Sequence, residues 1–460
     1  MGNEEVKKLI NGLVDKYKIF EGEFKSVTYY WGGDYEEKTY RSVKGDNIIC
    51  RVSENEIIGR LRWFLRTVYA RFSVNEEHLK DYGKADSLLK FLGVSNPKES
   101  IKSPYLFRVE DVKCEKIGEE DKKKFNANMP SRVKLVLLKY KDKSEAEYHY
   151  PLARVTFSLK IFNTANENKD FLVVGGTILS LAYLGIGKAT SRGFGRFYPT
   201  RWESGSMKDE LSKLISQVKN GEVENAFSYF YSNSGFDLNN YNKWTKSAIP
   251  LAPLPCNDKK EEEKNEECIK IVPLKSHDLL EVIKCANNST LKMYYKRELH
   301  KSSIDIHTWM FGFPRYMGET GYYIENEKGS KDYLRRISAV IITPVMRQTK
   351  TKEVRYINEY DVAILPFLSL EDFREKIINM RHKGVGPSKK VIDALLQGSK
   401  KAQQPLTSKD NVKKAIEKVI KDYVNGLPEH IKNLHNRGSC RVREASTEKP
   451  KERKRPKWHR

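Results

Sequence analysis

Between residues 184 and 197 the chain reads LGIGKATSRGFGRF, four glycines with Lys188, Arg192 and Arg196 set among them. Gly185, Gly187, Gly193 and Gly195 lack a Cβ, so their backbone can take positive φ and approach a ligand closely. Successive N–H groups in such turns form anion-binding nests. An arginine fork grips phosphate through two hydrogen bonds, and Phe194 offers a ring face to a base. These residue types suit holding a phosphate. The spacing fits neither common nucleotide motif. A P-loop needs Gly-Lys followed by Ser or Thr, but Ala189 follows Gly187-Lys188, and Ala182 stands where its first glycine belongs. A dinucleotide fingerprint needs a third glycine where this chain has Thr190.

A second basic group is GRLRWFLR, residues 59–66. Arg62 and Arg66 are four apart, and Arg60 and Trp63 three apart, so each pair shares a helix face. Leu61, Leu65 and Val68 point the other way, toward a core. The expectation is a helix that packs on one side and shows Arg and Trp on the other, suited to gripping and stacking on a single strand.

Residues for cutting that strand are harder to find. A metal-independent nuclease wants a histidine with a second base or acid in reach. The nine histidines are scattered, and none lies in the glycine loop or the arginine helix. His300 and His307, in ELHKSSIDIHTW, are the candidate pair. A two-metal nuclease wants clustered carboxylates, and Asp305, Glu319 and Glu325 form no motif. None of the six cysteines makes a C-x-x-C pair, which gives no support to a zinc ribbon or a redox motif. His430, His435 and Cys440 have poor zinc spacing. No catalytic residue, metal or cofactor is expected.

These residues need elements to position them. Ser53 and Glu56 form a capping box ahead of a helix over 54–71. Strands are expected at 18–31, 104–114, 132–140 and 152–162. A buried element over 171–184 runs into the glycine loop, and GRFYPT makes a short strand ended by Pro199. The charged stretch at 257–268, after the proline-rich IPLAPLP, divides a domain 1–256 from a domain 269–426. The second half is expected to hold helices at 276–286, 289–299 and 369–381 and strands at 336–347 and 352–367. The fold class is α+β, two small sheets with helices on one face. The pattern decays after about 426, and 427–460 reads as a basic tail. Its last 20 residues carry nine Lys/Arg against three Glu.

Composition narrows the partners. With 84 Lys+Arg against 61 Asp+Glu, the net charge is +23. That favours a polyanion such as nucleic acid or an anionic surface. No apolar run is long enough to span a membrane, and the polar start shows no secretory signal, so an intracellular, cytoplasmic protein with no membrane partner is expected.

The glycine loop resembles that of the RAMP superfamily of CRISPR proteins. ENEIIGRLRWFLRTVYA resembles the basic helix of one branch, the first subunits of type III-B Cmr effector complexes. VTYYWGGDY (27–35), FGFPR (311–315) and RRISAVIITPV (335–345) are similar to further segments of that branch. Departures are Tyr29 for a usual proline, Phe64 for a second tryptophan and Ile58 for a basic residue. The resemblance implies two tandem ferredoxin-like (RRM-like) domains in a noncatalytic subunit placed near the guide RNA 3′ end. Such a subunit binds CRISPR guide RNA and single-stranded target RNA beside other Cmr subunits. It extends the RNA-binding residues from Arg60, Arg62, Trp63, Arg66 and the loop to Arg315, Arg335 and Arg336. Two alternatives stay open. One is a RAMP endoribonuclease processing repeat transcripts, although that class carries its glycine loop near the C-terminus. The other is a generic nucleic-acid binder, with a GxG turn at HKGVGPSKKVIDALL (382–396).

Overall fold

The computed structural model describes residues 16–31, 40–42, 48–96, 99–129, 152–165, 167–187, 189–256, 265–289, 321–325, 331–332, 340–350, 356–369, 380–383 and 409–442. The first half is built from β1 (Lys18–Ser26) and its short continuation β2 (Tyr30–Trp31), then α1 (Glu54–Phe72), β3 (Tyr105–Lys116), β4 (Leu152–Asn163), α2 (Asp170–Leu179) and β5 (Phe197–Glu203). Every pairing in its sheet is antiparallel, in the order β3-β4-β1-β5, with β2 prolonging β1 along β4. The element order is thus β-α-β-β-α-β. Alternation along β1 sends Phe20 and Phe24 inward, where Phe24 stacks on Phe157 of β4. α1 and α2 cover that inner face, joined there by α3 (Lys208–Lys219) and α4 (Val223–Asn233).

α1 begins at the capping box expected from Ser53 and Glu56, and Leu61, Leu65 and Val68 are buried as its periodicity predicts. β5 differs from expectation: it runs through Pro199 to Glu203. Proline is tolerated there because β5 is an edge strand and the register with β1 shifts between Glu23 and Phe24, opposite Pro199.

In the second half, β6 (Lys270–Ser276), α5 (Leu279–Asn288), β7 (Val340–Lys350) and β8 (Tyr356–Pro366) form a sheet of order β6-β8-β7. Ile341, Val345 and Phe367 of this half join one apolar cluster with the first. The C-terminal end of the charged stretch is not solvated. Glu266 and Glu267 are buried, and Glu267 pairs with Arg71 of α1.

The last described element is α6 (Lys409–Asn436), a 28-residue helix that carries Pro428 within it. It continues ten residues past the point where the sequence pattern was expected to decay, because Leu427 and Ile431 extend the buried stripe of Ile420, Tyr423 and Val424. Beyond it Cys440 is disulfide-bonded to Cys285 of α5, and Cys256 to Cys268. Spacing gave no sign of pairs separated by 155 and 12 residues. With Cys440 bonded and His435 facing Glu281 at 3.7 Å, the trio tested as a zinc arrangement does not form one. The expected strand 132–140, helix 289–299, nearly all of the expected helix 369–381, most of 382–396 and residues 443–460 lie outside the described residues.

Candidate functional site

The glycine loop is folded back on itself. Gly185, Gly187, Ala189, Gly193 and Gly195 all take positive φ, between 57° and 87°. Ile186 N–H donates to Gly195 O at 3.0 Å, and Gly195 N–H to Tyr29 O at 2.9 Å. A Cβ on Gly195 would collide with Ile186 O, and one on Gly193 would lie 2.5 Å from Pro344 Cδ in β7. These two glycines are therefore required by close packing rather than by access for a ligand.

Arg196 and Phe194 correct the expectation most sharply. Arg196 is fully buried. Its Nε donates to Thr343 Oγ1 at 2.7 Å, Nη1 to Leu184 O and to Phe194 O at 2.8 Å, and Nη2 to Thr190 O at 2.7 Å. No fork is left for phosphate. Burial, reinforced by the like charge of Arg60, holds its pKa well below the usual arginine range. Phe194 is equally buried, among Phe125, Leu280 and Ile283, so its ring is not a platform for a base. Asn287 of α5 donates to Arg192 O at 3.2 Å. The loop thus forms much of the seam between the two halves.

The arginine helix is likewise turned inward on both sides. Arg66 grips Asp86 through two hydrogen bonds of 2.6 and 2.9 Å and lies over Tyr82. Arg62 donates to Leu92 O at 2.7 Å. Trp63 packs on Phe367 of the second half, ring centroids 4.8 Å apart. None of the three is presented as an outward grip.

Arg60 differs. It is half-buried, its guanidinium lies 5.9 Å from the Trp63 ring, and Nη2 donates to Thr190 Oγ1 at 3.0 Å. No carboxylate stands in ion-pair contact with it among the described residues. Burial draws its pKa down to about 10, opposed by the charge of Glu56 one helical turn away. Arg60 has five N–H donors and gives one of them to Thr190. The structure therefore brings the arginine helix and the glycine loop together at Thr190, where Arg60 donates to the side-chain hydroxyl and Arg196 to the carbonyl. Half-buried Gly187, Thr190, Ser191 and Arg192 lie around this point. Lys188, Arg315, Arg335 and Arg336, with His300 and His307, lie outside the described residues.

The sequence reading missed Arg71, which anchors the end of α1 from inside, and an ion-paired face on the first sheet. Among the described residues no group of His, Cys, Asp or Glu is arranged to hold a metal, and no helix is long and apolar enough to cross a membrane.

Comparison with known proteins gives one family match and several solved structures. The family model of the RAMP superfamily matches residues 23–198. No curated protein matches. The crystal structure of Cmr1 from Pyrococcus furiosus (apo form) aligns with 14% identity, a TM-score of 0.42, and coverage of 76% of this chain and 88% of that one. A chain of the type III-B Cmr-beta complex bound to cognate target RNA and AMPPnP, in the presence of single-stranded DNA, aligns with 10% identity and a TM-score of 0.48. The alignment covers 91% of this chain and all of that one. A chain of Cmr-beta bound to cognate target RNA aligns with 12% identity and a TM-score of 0.46, covering 76% and 94%. The family match takes in the arginine helix and the glycine loop whole, in accord with the resemblance carried by those two motifs.

Proposed function

We propose that this chain is a noncatalytic, RNA-binding subunit of a type III-B CRISPR effector, working beside other Cmr subunits on guide and single-stranded target RNA. The supporting observation is that the RAMP-matched segment holds both basic motifs and that Arg60 and Thr190 join them, leaving most of the Arg60 donors unspent. Two ferredoxin-like units fit the elements. The first sheet has the required β-α-β-β-α-β order, and β6, α5, β7 and β8 give the first four elements of the same plan. Neighbouring Cmr-beta structures contain target RNA, which agrees with the same partner here.

The test is a tagged pull-down from the native host, with the RNA sequenced and the proteins identified. Spacer-bearing guide RNA together with other RAMP subunits is the expected result. Repeat-derived fragments without partner proteins would replace this reading with the processing endoribonuclease. At the site itself, Arg60→Ala is expected to weaken binding of a single-stranded RNA about threefold to tenfold. It should also lower the slope of log K against log salt by about 0.7, one phosphate contact on a single strand. A titration at three salt concentrations reads both, and an unchanged slope would remove Arg60 from the site.

A further inference from the structure

The face of the first sheet opposite α1 and α2 is dense in charged side chains. In antiparallel pairing, directly opposed residues share a face, so the register lays out its charges. Near the ends of β3 and β1 the charges close a chain across all four strands. Arg108 contacts Glu110 at 2.6 Å, Glu110 contacts Lys160 at 2.9 Å, and Lys160 reaches Glu21 at 3.6 Å. Glu21 contacts Lys18 at 2.7 Å, and Lys18 contacts Glu203 at 2.9 Å. The Lys18 ammonium is held above its usual range by its hydrogen bonds to Glu21 and Glu203. This end of the face is charge-balanced and offers little to a polyanion.

Toward the seam the pattern changes. Lys113 and Lys25 both stand opposite Thr156, on its two sides. Arg154 follows two residues along β4 on the same face. All three are exposed, and among the described residues none is in ion-pair contact with a carboxylate. Lys25 and Lys113 lie two strand spacings apart, about 10 Å. Arg154 lies 6.0 Å from the Tyr29 ring, and its charge is felt by Tyr360 of β8, across the seam. The acids near this end are Glu23, two residues before Lys25 and accepting from Thr200 Oγ1 at 2.6 Å, Asp111 in the bulge before Lys113, Glu115 opposite Arg154 in register, and Asp121 and Asp278 near Tyr29. Asp278 is already engaged, capping α5 through Leu280 N–H and facing Lys124 at 3.7 Å.

A face that pairs six charges toward one end and leaves Lys25, Lys113 and Arg154 outside any ion pair toward the other is complementary to an anion of several separated charges. We infer that Lys25, Lys113 and Arg154 form a second contact for the backbone of single-stranded RNA, on the outer sheet face, across the sheet from α1 and its Arg60. The inference rests on the reading that the chain binds RNA. It differs from the aromatic stacking of an RRM sheet, because the outward positions from Glu21 to Lys25 on β1 and from Arg154 to Lys160 on β4 are charged or hydroxylic. Contact is through phosphates, so it carries no base preference and depends strongly on salt.

The experiment is an anisotropy titration of the full chain against a labelled single-stranded 20-nucleotide RNA at several salt concentrations. Three proteins are compared: the unmodified chain, Lys25→Ala/Lys113→Ala/Arg154→Ala, and the control Lys80→Ala/Lys84→Ala/Lys246→Ala. The control removes the same formal charge from exposed lysines paired with Glu77 and Glu76. The sheet-face variant is expected to bind at least about tenfold more weakly, with the salt slope lower by about 2, as three lost phosphate contacts require. The control is expected to lose less than about threefold. Equal losses in the two variants would reduce the effect to net charge and overturn the inference. Retained affinity in the sheet-face variant would overturn it while leaving RNA binding intact. Failure of the unmodified chain to bind would overturn the RNA reading together with it.

Discussion

Replacing Arg196 by methionine is expected to cost about 3 to 4 kcal/mol of stability. Methionine fills the volume of the arginine stem but leaves Leu184 O, Phe194 O, Thr190 O and Thr343 Oγ1 without their donor. A buried acceptor left unsatisfied costs about 1 to 3 kcal/mol. Against this stands the relief of the desolvation and of the repulsion from Arg60 that hold the Arg196 pKa down, so the four losses do not add in full. Arg196→Lys should fall between, at about 2 kcal/mol, since a single ammonium cannot serve acceptors spread around a planar fork. Urea denaturation measures both. RNA affinity measured on the folded fraction should be unchanged within about twofold. The opposite pattern, full stability with lost affinity, would return Arg196 to the ligand and contradict its burial.

That prediction marks where the sequence was legible and where it was not. The capping box and the buried stripe of α1 depend on residues within a few turns of one another, and those were readable. The direction of Arg62 and Arg66 was not. Their acceptors, Leu92 O and the Asp86 carboxylate, lie 30 and 20 residues away on a segment that local periodicity does not bring back to α1. The glycine loop shows the same limit more strongly. Glycine, arginine and phenylalanine suit an anion nest, and they suit a tight seam equally well. What decides between them is Thr343, Pro344, Leu280 and Ile283, all far along the chain. The extension of α6 was legible in principle. Ile420, Tyr423, Val424, Leu427 and Ile431 follow helical spacing, and Pro428 obscured it.

Bracing within the first half and at the seam explains why a strongly basic chain can spend so many arginines internally. Arg62, Arg66 and Arg196 each tie together segments distant in sequence. On the proposed reading, the charge left for RNA is that of Arg60 and of exposed residues of the first sheet. Motif position and ligand contact are therefore separate properties in this fold. A substitution in either basic motif has to be read for stability before it is read for binding.

Arg71 carries the second large expectation. Its Nε donates to Ala252 O at 2.7 Å and Nη1 to Asn242 O at 2.6 Å, while Glu267 pairs with the same Nη1. Glu267 also accepts from Trp244 N–H at 3.0 Å. The pair joins the end of α1 to the turn that precedes β6, and both side chains are nearly or wholly out of solvent. Glu267→Ala leaves a buried guanidinium without its counter-charge, which costs about 3 to 5 kcal/mol in such settings. Arg71→Met should cost a similar amount through the stranded carboxylate. The double variant Arg71→Met/Glu267→Leu removes both charges and restores apolar packing, and replacing a buried pair in this way is often neutral. It is therefore expected to be more stable than either single variant, with a coupling of about 2 kcal/mol or more in a double-mutant cycle. Single losses that simply add would mean that the two charges do not depend on one another, and that α1 is held to the second half by packing alone.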